Sequence, residues 1–242
     1  ADRCDIFTDV EGVYTTDPRI VAKARKLEQI TYEEMLEMAS LGTKVLQTRS
    51  VELAMNKKVR VQVRSSFLDV PGTLVVDEVE ILEKEFVSGI AYSKDEAKIT
   101  LIRVEDRPGV AAAIFGRLAD QNVNVDMIVQ NTSEDGKATD ITFTVGQNDY
   151  QRVRSILEEQ CNELGYDRLV TDENVVKISV IGVGMRSHAG VAQRMFKALA
   201  EKGINIQVIS TSEIKVSVLI SEDYTELALR ALHTAYGLDE GE

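Results

Sequence analysis

The amino-acid sequence predicts a mixed fold of the α/β (α+β) class. Two copies of a ferredoxin-like β-α-β-β-α-β unit are expected to follow a partial α/β lobe. Residues 103–131 are largely repeated at 183–212, and each copy runs from a β-rich stretch through a glycine turn to a helical pattern and a second strand. Superposing Gly109 on Gly190, an offset of 81 residues, leaves these pairs identical without a gap: Val110/Val191, Ala111/Ala192, Phe115/Phe196, Leu118/Leu199, Ala119/Ala200 and Asn124/Asn205. One unit buries little core alone, so the two are expected to pack together.

The first unit, residues 95–172, is expected to have strands at 97–104, 123–131, 139–145 and 168–171 and helices at 110–121 and 150–164. The second has a strand from 176, helices at 191–200 and 224–236, and strands at 204–211 and 215–220, which leaves it one strand short. The apolar run at 87–92 is predicted to supply that strand. The second unit is then discontinuous, formed by residues 86–94 and 173–242, with the first inserted into it.

Residues 1–76 are predicted to form the α/β lobe. A strand at 5–10 leads to a glycine turn, and Thr31 with Glu34 three positions later is a capping box for a helix that ends near Gly42. A second helix at 44–55, a strand at 59–63 and a Pro71-Gly72 turn follow. The acidic run at 77–85 is interpreted as a solvated linker.

Composition restricts the function classes. The net charge of −12 opposes binding to nucleic acid or anionic membranes and favours small molecules and protein partners. Two cysteines without metal-binding or redox spacing favour a cytoplasmic protein, and no apolar run has the length of a membrane span. No metal site or catalytic residue is predicted in the chain. The chain begins with Ala1 and an apolar strand, as if inside a domain.

Several motifs resemble the aspartate kinase family. The turn from Asp106 to Gly109, the strand containing Asp126, Gln130 and Asn131, and the stretch at 210–214 are similar to the paired ACT domains at its C-terminus. Residues 8–19 are similar to its nucleotide-site signature. The resemblance covers essentially the whole chain and implies tandem ACT domains after part of an amino-acid kinase domain.

The turn before the first repeat's helix is the strongest candidate for ligand binding. Gly109 lets a ligand approach the backbone, the free N–H groups of the first helical turn can hold a carboxylate, and Asp106 and Asp126 can take an ammonium. On spacing alone, a simple helix-entry turn is the favoured interpretation of these residues. The resemblance implies an effector site at Asp106, Gly109, Val110, Ala111, Asp126, Gln130 and Asn131, completed from a second subunit by Val191, Ala192, Asn205, Ile206, Ser212 and Glu213.

The resemblance also implies nucleotide contacts in the lobe, at Thr8, Asp9, Tyr14, Asp17, Arg19 and Lys44. The second glycine turn, 182–190, lacks the third glycine of a dinucleotide motif and the Gly-Lys-Ser/Thr of a Walker loop. His188 and His233 belong to no recognisable triad or ligand cluster, so surface or structural roles are predicted for both.

The function that follows from the resemblance is the amino-acid-sensing part of an aspartate kinase, with lysine and/or threonine as effectors and a homodimer formed through ACT domains. The complete enzyme would phosphorylate aspartate with ATP and Mg²⁺, whereas the ACT module needs no cofactor. The family's N-terminal Lys-and-Gly segments are absent from this sequence, so the chain is expected to be inactive without that catalytic half. Two alternatives stay open: a non-catalytic sensor subunit of a separate catalytic chain, and a stand-alone ACT protein.

Overall fold

The computed structural model describes residues 3–43, 45–81, 86–133, 136–188 and 190–239. Within these residues lie three four-stranded sheets, one in each predicted unit. The strands are β1 (Arg3–Thr8), β2 (Gln29–Thr31), β3 (Arg60–Ser65), β4 (Thr73–Val76), β5 (Gly89–Ser93), β6 (Ala97–Glu105), β7 (Val125–Thr132), β8 (Ala138–Val145), β9 (Arg168–Asp172), β10 (Val175–Ile181), β11 (Val208–Thr211) and β12 (Lys215–Ser221). The helices are α1 (Tyr32–Ser40), α2 (Thr48–Lys57), α3 (Val110–Asp120), α4 (Gln147–Glu159), α5 (Cys161–Leu164), α6 (Val191–Glu201) and α7 (Thr225–Ala235).

The sheet of the lobe has the order β1-β3-β4-β2, with β1 parallel to β3 and β2 parallel to β4. Helix α1 begins at the predicted capping box, because Thr31 Oγ1 accepts from Glu34 N and Glu34 Oε2 accepts from Thr31 N, both at 3.1 Å. Helix α2 begins at Thr48 rather than at the predicted position 44. Strands β2 and β4 were not predicted, since three or four residues are too short for a periodic pattern.

The two repeat units have the same sheet order, β9-β6-β8-β7 in the first and β5-β10-β12-β11 in the second. This is the antiparallel arrangement of the ferredoxin-like fold, which the repeat predicted. Strand β5 lies at the edge of the second sheet, antiparallel to β10, where Ile90 is opposite Val180. The chain therefore forms one strand of the second sheet before it enters the first unit.

The second sheet is buried on both faces. Every residue of β10 is buried, and Val176, Ile178 and Val180 pack with the core beneath α6 and α7. On the opposite face, Val175 packs with residues that include Met127 of the first unit. Ile181 on that same face packs with the core of the lobe. The second unit is therefore the piece against which the other two pack.

The acidic run at 77–85 differs from the predicted solvated linker. Its described part contains a single turn of 3₁₀ helix, Glu78–Glu80, and both glutamates of that turn are paired. Glu78 pairs with Arg186 at 2.7 Å, and Glu80 pairs with Arg60. Arginines from the second unit and from β3 thus neutralise carboxylates that the sequence alone leaves free. Residues 82–85 lie outside the described residues.

Candidate functional site

Two equivalent glycine turns open the helices α3 and α6. Gly109 has φ of 90° and Gly190 has φ of 98°, in the left-handed region that favours glycine. A Cβ at either position would meet nothing within 4 Å, so conformation and not space selects the residue. Neither helix has a side-chain cap at its N-terminus. Each turn therefore leaves first-turn N–H groups available to an anionic ligand such as a carboxylate.

The predicted residues of the first unit divide between the two ends of its sheet. Asp106 is exposed beside Gly109, and Asn131, opposite Asp140, lies toward the same end, next to Gln130. Asp126 of β7 lies opposite Thr144 of β8, and Thr144 lies opposite Lys98 of β6. Asp126 is therefore at the other end of the sheet. Lys98 and the end of β6 are seven residues apart, about 20 Å at roughly 3.3 Å per residue. One chain therefore does not bring Asp126 and Gly109 around the same amino acid.

Asp126 instead receives an ammonium from its own chain. Lys177 Nζ on β10 donates to Asp126 Oδ2 at 2.7 Å and lies 2.5 Å from Glu96 Oε1. Burial alone would raise the pKa of Asp126, but the hydrogen bond and charge of Lys177 outweigh it and lower the pKa. The side chains of Lys177 and Glu96 are each only 7% exposed. This trio joins the two repeat units.

The predicted residues of the second unit lie around both ends of β11. Val191 and Ala192 are half-buried at the start of α6, and Asn205 and Ile206 precede β11. Ser212 and Glu213 follow β11 and are exposed. Glu213 pairs with Arg186 at 3.4 Å, and Gly182 N donates to the Ile214 carbonyl at 2.9 Å. The turn before α6 is thus bonded to the turn that carries Ser212 and Glu213.

Five of the six predicted nucleotide residues are described, and Lys44 lies outside the described residues. Thr8 ends β1, and its hydroxyl donates to Asp9 Oδ1 at 3.0 Å. Asp17 accepts from Arg19 at 2.8 Å, and this hydrogen bond holds the pKa of Asp17 below its usual value despite partial burial. Arg19 remains 86% exposed and available to a phosphate. Tyr14 is half-buried, and its backbone forms an isolated antiparallel β-bridge with that of Lys26.

A cleft of about 270 Å³ lies beside Thr8, at the carboxyl ends of the parallel strands β1 and β3. Its lining includes Phe7, Phe67 and Leu68, which are largely exposed, and Arg64, whose guanidinium lies 5.7 Å from the centre of the Phe7 ring. Ligands of open α/β sheets bind at this edge. These residues could not be predicted from the sequence, because a short stretch after a strand gives no periodic signal.

His233 is part of a buried hydrogen-bonded trio. Its Nε2 lies 2.9 Å from Thr15 Oγ1, and its Nδ1 is bonded to Asp239. The sequence of hydroxyl, imidazole and carboxylate resembles the nucleophile, base and orienting acid of a catalytic triad. Thr15 and His233 are both fully buried, however, so no substrate reaches the hydroxyl. The trio joins the lobe to α7, in agreement with the predicted structural role. His188 is exposed and makes a local contact within the turn before α6, where its Nδ1 lies 2.9 Å from the Gly184 carbonyl oxygen.

A metal-ligand cluster and a membrane-spanning helix are both absent from the described part of the chain. No three side chains of the metal-ligating types are grouped together there. None of the described helices combines the length and apolar character that crossing a membrane requires.

Comparisons with known proteins identify the three units. A model of the amino acid kinase family matches residues 1–65, and models of ACT domains match residues 98–162 and 178–236. In a crystal structure of aspartokinase alpha and beta subunits, the chain covers 99% of one subunit at 52% identity, over 62% of its own length, with a TM-score of 0.59. The chain belongs to the aspartate kinase family. The resemblance predicted from the sequence is thereby confirmed.

Two relatives of this aspartate kinase family member show the extent of the match. An aspartate kinase of Pseudomonas putida is 58% identical over 240 residues, which cover 99% of this chain and 58% of the relative. The chain thus spans less than two thirds of that protein. Aspartokinase III of Escherichia coli, in complex with aspartate and ADP, matches 97% of this chain and 52% of its own length, with 29% identity and a TM-score of 0.81. The chain contains the ACT regulatory portion of an aspartate kinase.

Proposed function

We propose that the chain senses lysine and/or threonine as feedback inhibitors of aspartate kinase activity. The observation that carries this proposal is the pair of open helix N-termini after Gly109 and Gly190, each entered through a left-handed glycine and free of a side-chain cap. Such a turn suits the carboxylate of a free amino acid. Ala111 and Ala192, two residues after the glycine in the first turn of each helix, are small enough to leave room for it.

The binding site is proposed to be shared between two copies of the chain. Asp106 lies beside the Gly109 turn in the same copy, whereas Asp126 is about 20 Å away along the sheet. The ammonium of one ligand therefore reaches Asp126 only if that residue comes from a neighbouring molecule. Light scattering is expected to give twice the chain mass of 26.8 kDa. A strict monomer with full effector affinity would exclude the shared site.

Calorimetric titration tests the sensing function directly. The whole chain is titrated with lysine, threonine, methionine and ATP, and lysine or threonine is expected to release heat with saturation. Methionine serves as the control, because it carries the same carboxylate and ammonium with a different side chain. If neither lysine nor threonine binds, the proposed function is refuted.

The lobe is proposed to contribute nucleotide contacts to the complete enzyme. There, the γ-phosphoryl group of ATP would be transferred to the side-chain carboxylate of aspartate, and Mg²⁺ would neutralise charge on the phosphates. Arg19 fits a phosphate and the Thr8–Asp9 pair fits a ribose hydroxyl, while the cleft at Phe7 and Phe67 offers aromatic surface. The chain alone is expected to show no turnover in a coupled ADP-release assay, since the resemblance implies that Lys-and-Gly segments outside this sequence position the phosphates and aspartate.

A second candidate is a separate sensor subunit that regulates a catalytic chain in the cytoplasm. It is favoured by the match to nearly the whole of one chain in the structure of aspartokinase alpha and beta subunits. The lobe distinguishes the two proposals, because a pure sensor does not need Thr8, Asp17 or Arg19. If ATP binding is unchanged in the Arg19→Ala variant, or is undetectable in the parent chain, the sensor-subunit proposal is the better one.

A further inference from the structure

Glu34 is a buried carboxylate at the boundary between the lobe and the second ACT domain. Its side chain lies on α1 and is 2% exposed. Oε2 accepts from the amide and the hydroxyl of Thr31, both at 3.1 Å, which completes the capping box. A capping glutamate ordinarily needs nothing more, and its position on a helix N-terminus stabilises the charge.

The other oxygen of Glu34 is bonded to the second ACT domain. Oε1 accepts from the Ser88 hydroxyl at 2.6 Å and from the Val183 amide at 2.9 Å. Val183 begins the turn that runs through Arg186 to Gly190, one of the two proposed effector turns. The two oxygens therefore accept four hydrogen bonds from three separate segments, which offsets the cost of burying the charge.

A second glutamate on the same face of α1 touches the neighbouring turn. Glu37, three residues after Glu34, pairs with Lys215 at 2.7 Å. Lys215 follows the turn that carries Ser212 and Glu213. Helix α1 thus contacts the two turns of the second ACT domain that hold proposed effector residues.

Ser88 connects Glu34 with residues 13–19, the segment that contains the proposed nucleotide residues Tyr14, Asp17 and Arg19. Strand β5 begins directly after Ser88, and the Ile90 amide donates to the Thr15 carbonyl at 2.7 Å. Further along β5, the Tyr92 hydroxyl donates to Asp17 at 3.3 Å. The Val183 turn is therefore connected to Thr15 and Asp17 by hydrogen bonds to Glu34, by the backbone from Ser88 along β5, and by the hydrogen bonds of Ile90 and Tyr92.

We propose that Glu34 is a positioning residue that couples the Gly182–Gly190 turn of the second ACT domain to the nucleotide segment of the lobe. The proposal rests on the proposed function, in which the turn senses an amino acid and the segment contacts a nucleotide. Glu34 touches neither ligand. It transmits the position of the turn because its two oxygens require donors from both sides of the boundary at once.

Hydrogen exchange of the whole chain without ligand tests the coupling. In Glu34→Gln, an amide NH₂ faces N–H and O–H donors whichever way the side chain is turned. The segments 183–188 and 13–19 are both expected to exchange about tenfold faster, as the loss of a hydrogen bond to a charged acceptor implies. Thr31→Val is the matched control, because it removes the capping hydroxyl but no contact with the ACT domain. It is expected to affect α1 alone.

Effects of Glu34→Gln that stay within α1, like those of Thr31→Val, would overturn the proposal. If Glu34→Gln does not fold, Ser88→Ala replaces it, since this variant removes a single hydroxyl from the connection. Faster exchange at 13–19 is again expected. Unchanged exchange there would overturn the proposal in the same way.

A second arm adds lysine or threonine at saturation. In the parent chain, the effector is expected to alter exchange at 13–19. In Glu34→Gln, the response at 13–19 is expected to be lost at an effector concentration that saturates the variant. A response that persists would refute the coupling. If neither amino acid binds the parent chain, the proposed function is refuted instead, and the ligand-free arm still decides the role of Glu34.

Discussion

Lys177 Nζ of the second ACT domain donates to Asp126 Oδ2 of the first at 2.7 Å. The buried Glu96 lies at the same interface between the two domains and also contacts Lys177. Replacing Lys177 by Met removes the cation from this trio and leaves the buried Glu96 carboxylate without its partner. The free energy of unfolding is expected to fall by about 3 to 5 kcal/mol. Urea denaturation measures the loss. Lys197→Met is the control, because its ion pair with Glu201 is exposed and should contribute less than about 1 kcal/mol.

The same ion pair predicts a loss of stability in acid. The folded-state pKa of Asp126 lies below its usual 3.8, so its contribution is present above that value and is lost as the pH falls through the lowered pKa. The difference in urea midpoint between the parent chain and Asp126→Asn should be constant from pH 7 to 5 and shrink below pH 3.8. A difference that persists at pH 2 would show that Lys177 does not stabilise the charged form of Asp126.

The buried trio of Thr15, His233 and Asp239 is expected to be structural. His233→Ala removes a fully buried ring and leaves the Thr15 hydroxyl with one partner fewer, so the free energy of unfolding should fall by about 3 kcal/mol. The parent chain should not hydrolyse a chromogenic ester. His188→Ala serves as the control, since that residue lies at the edge of the turn before α6. Esterase activity abolished by Thr15→Val would contradict the structural role.

Three glycines separate conformational effects from steric ones. A Cβ on Gly72 would lie 1.7 Å from the Val63 carbonyl oxygen, so Gly72→Ala should cost about 3 kcal/mol or more. Gly109→Ala meets no atom but must adopt a positive φ, at a cost of about 1 to 2 kcal/mol. Gly116→Ala, in the open interior of α3, should instead stabilise by about 1 kcal/mol. Thermal unfolding of the three variants gives the order, and a different order would refute this explanation.

Much of the ACT architecture could be predicted because the same sequence pattern occurs in two copies. Helices α3 and α6 begin at their predicted positions after Gly109 and Gly190, and the apolar run predicted at 87–92 overlaps β5. Periodicity reports which face is buried, and comparison of two copies removes ambiguity about where an element begins.

The contacts between the units could not be predicted in the same way. Glu34 was identified only as a capping residue, and nothing in its neighbourhood indicates that Val183, 149 residues later, donates to it. Lys177 did carry a signal, since a single charge within the apolar run of β10 implies a buried partner. That signal does not name Asp126. The bulge in β7, where Met127 has φ of 47°, likewise depends on pairing with β8 and not on local sequence.

The position of Ala111 in the first turn of α3 leads to the prediction that bears most directly on the proposed sensor. Ala111→Thr adds a hydroxyl and a methyl group beside the N–H groups that are proposed to hold the effector carboxylate. Affinity for lysine or threonine should fall at least about tenfold, while helix propensity changes stability by less than about 1 kcal/mol. Ala112→Thr is the matched control, because Ala112 is the next residue of the helix and is exposed. Calorimetry measures affinity, and circular dichroism confirms folding. Equal affinity in both variants would remove the Gly109 turn from the effector site and leave it as a helix entry alone.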